Sequence, residues 1–165
     1  LLIKSQNGHI LTEDLAQVTH AIGGRADIIH VDKHVDEGTQ VSYLQCADVL
    51  VSLHRSEGLG LHILEALLRG VPVLSTAFSA PTEFLDSSNS VPVDYALVPV
   101  KNGNGVYPTG YLWAQPDVQH AAHLMRKLFL NGTYLDLLKE GTSEAEKHLV
   151  SEAEAGTRLA SWLFE

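Results

Sequence analysis

The sequence predicts an α/β fold in which a parallel sheet carries helices on both faces. Two observations carry that prediction. Short apolar runs rich in valine, isoleucine and leucine alternate with helix-like segments along the chain, and each helix-like segment closes near a glycine or a charged residue. At 165 residues the chain is about one domain long and can bury one core. Its 45% hydrophobic content suits a soluble globular protein and argues against disorder.

The runs LLIK (1–4), DIIHV (27–31), DVLVSL (48–53) and VPVLST (71–76) read as buried strands. Helices are expected at about 12–22, opened by Thr12 with Glu13 and Asp14 in its first turn, at about 38–47, and at about 60–69. Gly23-Gly24 and Gly70 supply stop signals. The stretch 87–111, with Pro92, Pro99 and Pro108, is expected to be mostly loop. DVQHAAHLMRKLFL (117–130) is a strongly patterned helix with Pro116 near its first turn. The tail, 133–164, is expected to be helical and acidic, with a thin apolar stripe at Leu149, Leu159 and Leu163. The chain has no internal repeat or low-complexity segment.

A formal charge of −9 argues against a nucleic-acid partner or an anionic membrane surface, because both attract basic patches. The single cysteine, Cys46, excludes an intrachain disulfide framework and makes the cytoplasm the expected compartment; its own position is expected to be a buried one. No apolar run approaches the roughly 18 residues of a transmembrane segment. The chain opens at Leu1 inside an apolar run, so a piece of a larger protein is expected.

The loop RSEGLG follows the strand ending near His54, at the carboxyl end of a parallel strand, where open α/β sheets bind ligands. Gly58 and Gly60 permit close backbone approach, and the first amides of the following helix suit an anion such as a phosphate. Glu57 would repel that anion unless it binds something else, such as sugar hydroxyls. Glu65, eight positions later, suits the vicinal hydroxyls of a ribose. Each glutamate also has a plainer reading, Glu57 as a charge favouring the helix dipole and Glu65 as a solvated helix residue.

EGLGLHILEALLRGVPVLS (57–75) resembles the E-x7-E signature of retaining glycosyltransferases of family 4, also called group 1. The flanks YLQCADVLVSLHRSEGLGL, FLDSSNSVPVDYALVPV and YLWAQPDVQHAAHLMRKL extend the resemblance over roughly residues 1–130. It implies the C-terminal, Rossmann-like half of a GT-B fold, followed by C-terminal helices. Residues 1–130 would form the donor-binding domain, lacking its first strand and helix, and 131–165 a helical tail. By the same resemblance Glu65 would hold the donor ribose and Glu57 would lie against the donor sugar as the catalytic candidate. The backbone at Gly58, Leu59, Gly60 and Leu61 would line the diphosphate and sugar, with Lys4 and His54 completing the donor-binding set. The loop from Val31 to Val35 would pass the base. The implied donor is a nucleoside diphosphate sugar, with no cofactor and no metal; a DxD triplet is absent. Helix amides and basic side chains would stabilise the departing diphosphate.

His62 stands where the family often has proline or a small residue, and Ala80-Pro81 replaces a turn that commonly carries Gly-Asn. The acceptor domain is missing from this stretch, so the isolated chain is expected to be inactive in transfer. In the Rossmann-like strand order the absent first strand would lie between LLIK and DVLVSL. The expectation is that these two strands pair directly, or that a second copy lends a segment, making a homo-oligomer possible; the stripe ending at Trp162, Leu163 and Phe164 would also seek a partner. The alternatives are an inactive donor-binding or interaction module of the same fold, and, more weakly, a sugar-nucleotide epimerase. His30, Asp32, His34 and Asp36 carry a spacing that suggests a metal but sit on a strand end and loop where polar residues are ordinary, and the same holds for His120 and His123 on their helix. Ser52, Ser56 and His54 suggest a hydrolase, but no G-x-S-x-G elbow frames a serine.

Overall fold

The computed structural model describes residues 1–101, 107–148 and 152–164. It divides into two compact units, Leu1–Tyr43 and Leu44–Glu165.

In the first unit, β1 (Leu2–Ser5) pairs in parallel with β2 (Ile29–Asp32), Leu2 opposite Ile29 and Ser5 opposite Asp32. Helix α1 (Thr12–Ile22) connects them. It stops at Gly23, whose left-handed φ of 59° lets its N–H reach the Thr19 carbonyl. Helix α2 (Glu37–Gln45) begins after Asp36, whose carboxylate accepts from the Thr39 N–H at 2.9 Å and the Thr39 hydroxyl at 2.8 Å. These bonds hold the Asp36 carboxyl below its ordinary range.

In the second unit, β3 (Leu50–Ser52), β4 (Val73–Thr76) and β5 (Ser90–Val93) form a parallel sheet in that order. Every residue of β4 is buried, and its alternation assigns neighbouring side chains to opposite layers. Val73 packs with Ile63, Ala66 and Leu67 of α3 (Leu61–Leu67), joined by Phe84 and Ala145. Leu74 packs with Val91, Val93, with Ala121, Leu124 and Leu128 of α4 (Val118–Leu130), and with Leu138 of α5 (Gly132–Gly141). Burying each large aliphatic side chain contributes about 1.5–3 kcal/mol, so β4 is the axis of the unit's stability. The sheet thus carries helices on both faces. An antiparallel hairpin, β6 (Tyr95–Pro99) and β7 (Leu112–Pro116), stands beside it as a separate ladder. Beyond α5 come a 3-10 segment over Thr142–His148 and α6 (Glu152–Phe164).

Several expectations need correction. The stretch 87–111 is not mostly loop, since β5 and β6 run through it. Pro92 fits because Val73 donates to the Asn89 carbonyl and Ala77 to the Val93 carbonyl, which turns position 92 away from β4, where its missing N–H costs no ladder bond. Pro116 lies beside the first turn of α4, as the last residue of β7; Asp117 is the cap, accepting from the His120 N–H at 2.9 Å. Cys46 is exposed, because it follows α2 and the helix turns Leu44 inward instead. The tail is more than a thin stripe, since Leu138 and Ala145 belong to the two apolar clusters; Leu149 lies outside the described residues, as does the side chain of Leu163. LLIK and DVLVSL do not pair directly, since β1 bonds to β2 and β3 to β4 in separate ladders. Among the described residues, no helix is long and apolar enough to cross a membrane.

Candidate functional site

Parallel strand β3 delivers the chain to a loop over residues 53–60, and Gly60 turns it into α3. Gly60 has φ 80°, and a Cβ there would lie 2.8 Å from the Pro81 Cγ, so both conformation and space demand glycine. Gly58 is different, because a Cβ there would meet nothing within 4 Å. Leu59 and Leu61, the neighbours of Gly60, are both more than half exposed, an unusual arrangement for two leucines around a buried glycine.

Glu57 is half-buried at the centre of the loop. Its Oε1 accepts from the Gly60 N–H at 3.3 Å, and its Oε2 lies 4.0 Å from His62 Nδ1. Its backbone is clamped by Ser79, whose hydroxyl accepts from the Glu57 N–H at 3.1 Å and donates to the Glu57 carbonyl at 3.0 Å. Ser79 has φ 61°, a strained conformation for a residue with a side chain. The strain is held by those two bonds and by the 3-10 turn Ala80–Glu83 that follows.

Beneath the loop, Ser52 Oγ lies 3.3 Å from both His54 Nδ1 and His62 Nε2, and His54 Nε2 lies 2.9 Å from the Phe78 carbonyl. Burial holds the His62 imidazole below the ordinary histidine value of 6.5, with Glu57 and Glu65 opposing and His54 reinforcing. Glu65 is half-buried one turn along α3, and its backbone carbonyl accepts from Arg69 at 3.0 Å. Arg55 sets its guanidinium 4.7 Å from the Trp113 ring centroid, while its carbonyl accepts from the Ala114 N–H at 2.9 Å, tying the loop to β7.

Of the sequence-predicted residues, His54, Glu57, Gly58, Leu59, Gly60, Leu61 and Glu65 therefore lie on one strand end, loop and helix. Lys4 belongs to the first unit, where its Nζ donates to the Ser5 carbonyl at 2.8 Å, and the stretch 31–35 belongs there too. His30 and Asp32 both meet the Ser5 hydroxyl, at 2.8 and 2.7 Å, so they knit β1 to β2. Among the described residues, no group of three His, Cys, Asp or Glu side chains is placed to hold a metal ion. The sequence reading misses Ser79 as a clamp, Arg55 as the loop's own cation and His62 as a neighbour of Glu57. Arg55 has a visible signal, its place inside RSEGLG, whereas Ser79 reaches Glu57 across 22 positions.

The fold places this loop at the carboxyl end of a parallel sheet, the position where open α/β folds bind ligands. The family model described as "Glycosyl transferases group 1" matches residues 23–148, and the chain belongs to that family. Among solved structures, it is similar to a chain of the crystal structure of a GtfA/B complex, with a TM-score of 0.61 and 19% identity over 90% of this chain. That match shows a shared fold, the GT-B architecture, and this chain covers 27% of its partner in the comparison. The comparison with curated proteins gave no match.

Proposed function

We propose that this chain is the nucleotide-sugar-binding part of a retaining glycosyltransferase, which moves a sugar from a nucleoside diphosphate sugar to an acceptor. The carrying observation is the placement of Glu57 and Glu65 on either side of the Gly60 turn at the carboxyl end of β3. In this reading Glu65 binds the ribose hydroxyls, and Glu57 faces the sugar. The open space at Gly58 gives the diphosphate room against the backbone from Gly58 to Leu61. His54 sits under the loop, its ring between the Ser52 hydroxyl and the Phe78 carbonyl.

Glu57 already occupies the Gly60 N–H with its own carboxylate. A diphosphate approaching those amides meets that negative charge, unless the carboxylate turns to the sugar hydroxyls. This is the chemistry expected of a site that must recognise an intact sugar nucleotide rather than a bare phosphate. The transfer step places charge on the leaving diphosphate, and backbone amides with a nearby cation such as Arg55 are suited to stabilise it. Because half of a transfer cleft lies on the acceptor side, acceptor-dependent turnover belongs to the parent protein.

Calorimetric titration tests the assignment. Glu65→Ala is expected to weaken nucleoside diphosphate binding by about 1–3 kcal/mol through lost charge-assisted hydrogen bonds, with the circular dichroism spectrum unchanged. Unchanged nucleotide affinity in that variant would remove Glu65 from the ribose site. Nucleotide binding is also expected to survive a chelator; a steep dependence on added magnesium or manganese would assign the phosphate contacts to a cation instead.

A further inference from the structure

The geometry points to His62 as a positioning residue for Glu57, one whose protonation decides whether the Glu57 carboxylate is held by the imidazole or left to the Gly60 amide and the donor sugar. This inference rests on the donor-binding reading for its consequence, but its geometry stands on the ligand-free chain.

The direction of each hydrogen bond follows from one fixed point. The Phe78 carbonyl can only accept, so His54 Nε2, 2.9 Å away, carries a proton. In the neutral imidazole, His54 Nδ1 is then an acceptor, and the Ser52 hydroxyl 3.3 Å away donates to it. With its one proton used, Ser52 Oγ accepts from His62 Nε2–H at 3.3 Å. His62 Nδ1 is left with a lone pair, 4.0 Å from Glu57 Oε2. A Ser-His-Glu arrangement invites comparison with a hydrolase, but the polarity is reversed. His62 donates to the serine and cannot take its proton, and Ser52 is only 8% exposed.

A lone pair facing a carboxylate gives no attraction, so the neutral ring leaves Glu57 to the Gly60 N–H. A second proton enters at Nδ1 and turns the same approach into an ion pair. The titratable groups facing His62 are Glu57 from the loop, His54 from the end of β3 and Glu65 from the next turn of α3. Burial and His54 disfavour the charged ring while the two carboxylates favour it, and the balance places the transition below 6.5. Recognition of the sugar is therefore expected to be weak at low pH and to strengthen as pH rises through the His62 transition.

Two measurements separate this inference from the donor-binding reading. In the ligand-free chain, nitrogen NMR of the histidine rings is expected to show His54 locked with its proton on Nε2. The Glu57 carboxylate carbon is expected to shift at the His62 midpoint, and Glu57→Gln to lower that midpoint. A Glu57 signal blind to His62, or His54 with its proton on Nδ1, overturns the positioning role whatever the chain binds. In the second measurement, calorimetry compares UDP-glucose with UDP and GDP-mannose with GDP at about one pH unit below and about one above the His62 midpoint found by NMR. The preference for the sugar-bearing form is expected to rise about threefold or more with pH, a rise that His62→Asn abolishes. Persistence of the rise in His62→Asn overturns the inference. Absence of binding by all four probes counts against the donor-binding reading, while the NMR result still decides the positioning of Glu57.

Discussion

Helix α1 spans 11 residues and buries none of them, whereas α3 spans 7 and buries Ile63, Ala66 and Leu67. Both follow a parallel strand, and both read in the sequence as ordinary crossover helices. The difference lies in what the neighbouring strand offers. β4 gives α3 a wholly buried row, while β1 alternates between exposed and half-buried positions, β2 is at most half-buried, and Leu2 and Ile29 remain well exposed. A helix takes its stability from the packing of its apolar face more than from propensity, so α3 is the firmer support for the loop at its start. The candidate site sits on the unit that has stability to spare for it.

The sharpest way to break this comparison is to truncate one apolar residue in each helix. Ile63→Ala is expected to cost about 2–5 kcal/mol in urea denaturation, and Val18→Ala in α1 less than about 1 kcal/mol. Equal losses would mean that the first unit is as well packed as the second. A smaller contrast uses glycines with nearly the same backbone. Gly60→Ala adds a contact with Pro81 to a φ of 80°, and about 2–4 kcal/mol is expected. Gly24→Ala has a φ of 74° with nothing within 4 Å, so the conformational cost stands alone at about 1–2 kcal/mol. The smallest expected effect is at Arg25. Its guanidinium meets Asp27 at 2.6 Å and holds that carboxyl down at about 2, but both groups are fully solvated. Arg25→Ala is expected to leave the urea midpoint unchanged while the Asp27 carboxyl, followed by NMR, returns toward 3.8.

The elements from β1 to β4, with α1 to α4, lie within about two residues of where the apolar runs and the helix start and stop signals put them, because both signals are local in the sequence. β5 and β6 are hidden for the opposite reason. Pro92 and Pro99 look like breakers, yet one faces the open side of its strand and the other ends its strand. In the loop, Glu57, Glu65 and Gly60 are legible from local spacing and from resemblance. Ser79 and the Ser52–His54–His62 relay are not, since they depend on side chains that meet only after β3, α3 and the turn beyond β4 have packed.

Pro92 has one more consequence. Along the outward side of β5, Ser90 spends its N–H on the Asp86 carbonyl, Pro92 has none, and the Asp94 N–H goes to His120 Nδ1. That border of the sheet has no free donor with which to recruit another strand, and is protected against cross-β growth. The β3–β4–β5 sheet is therefore directional as a template. Any strand added to it must join along β3, the strand that leads into the Glu57 loop.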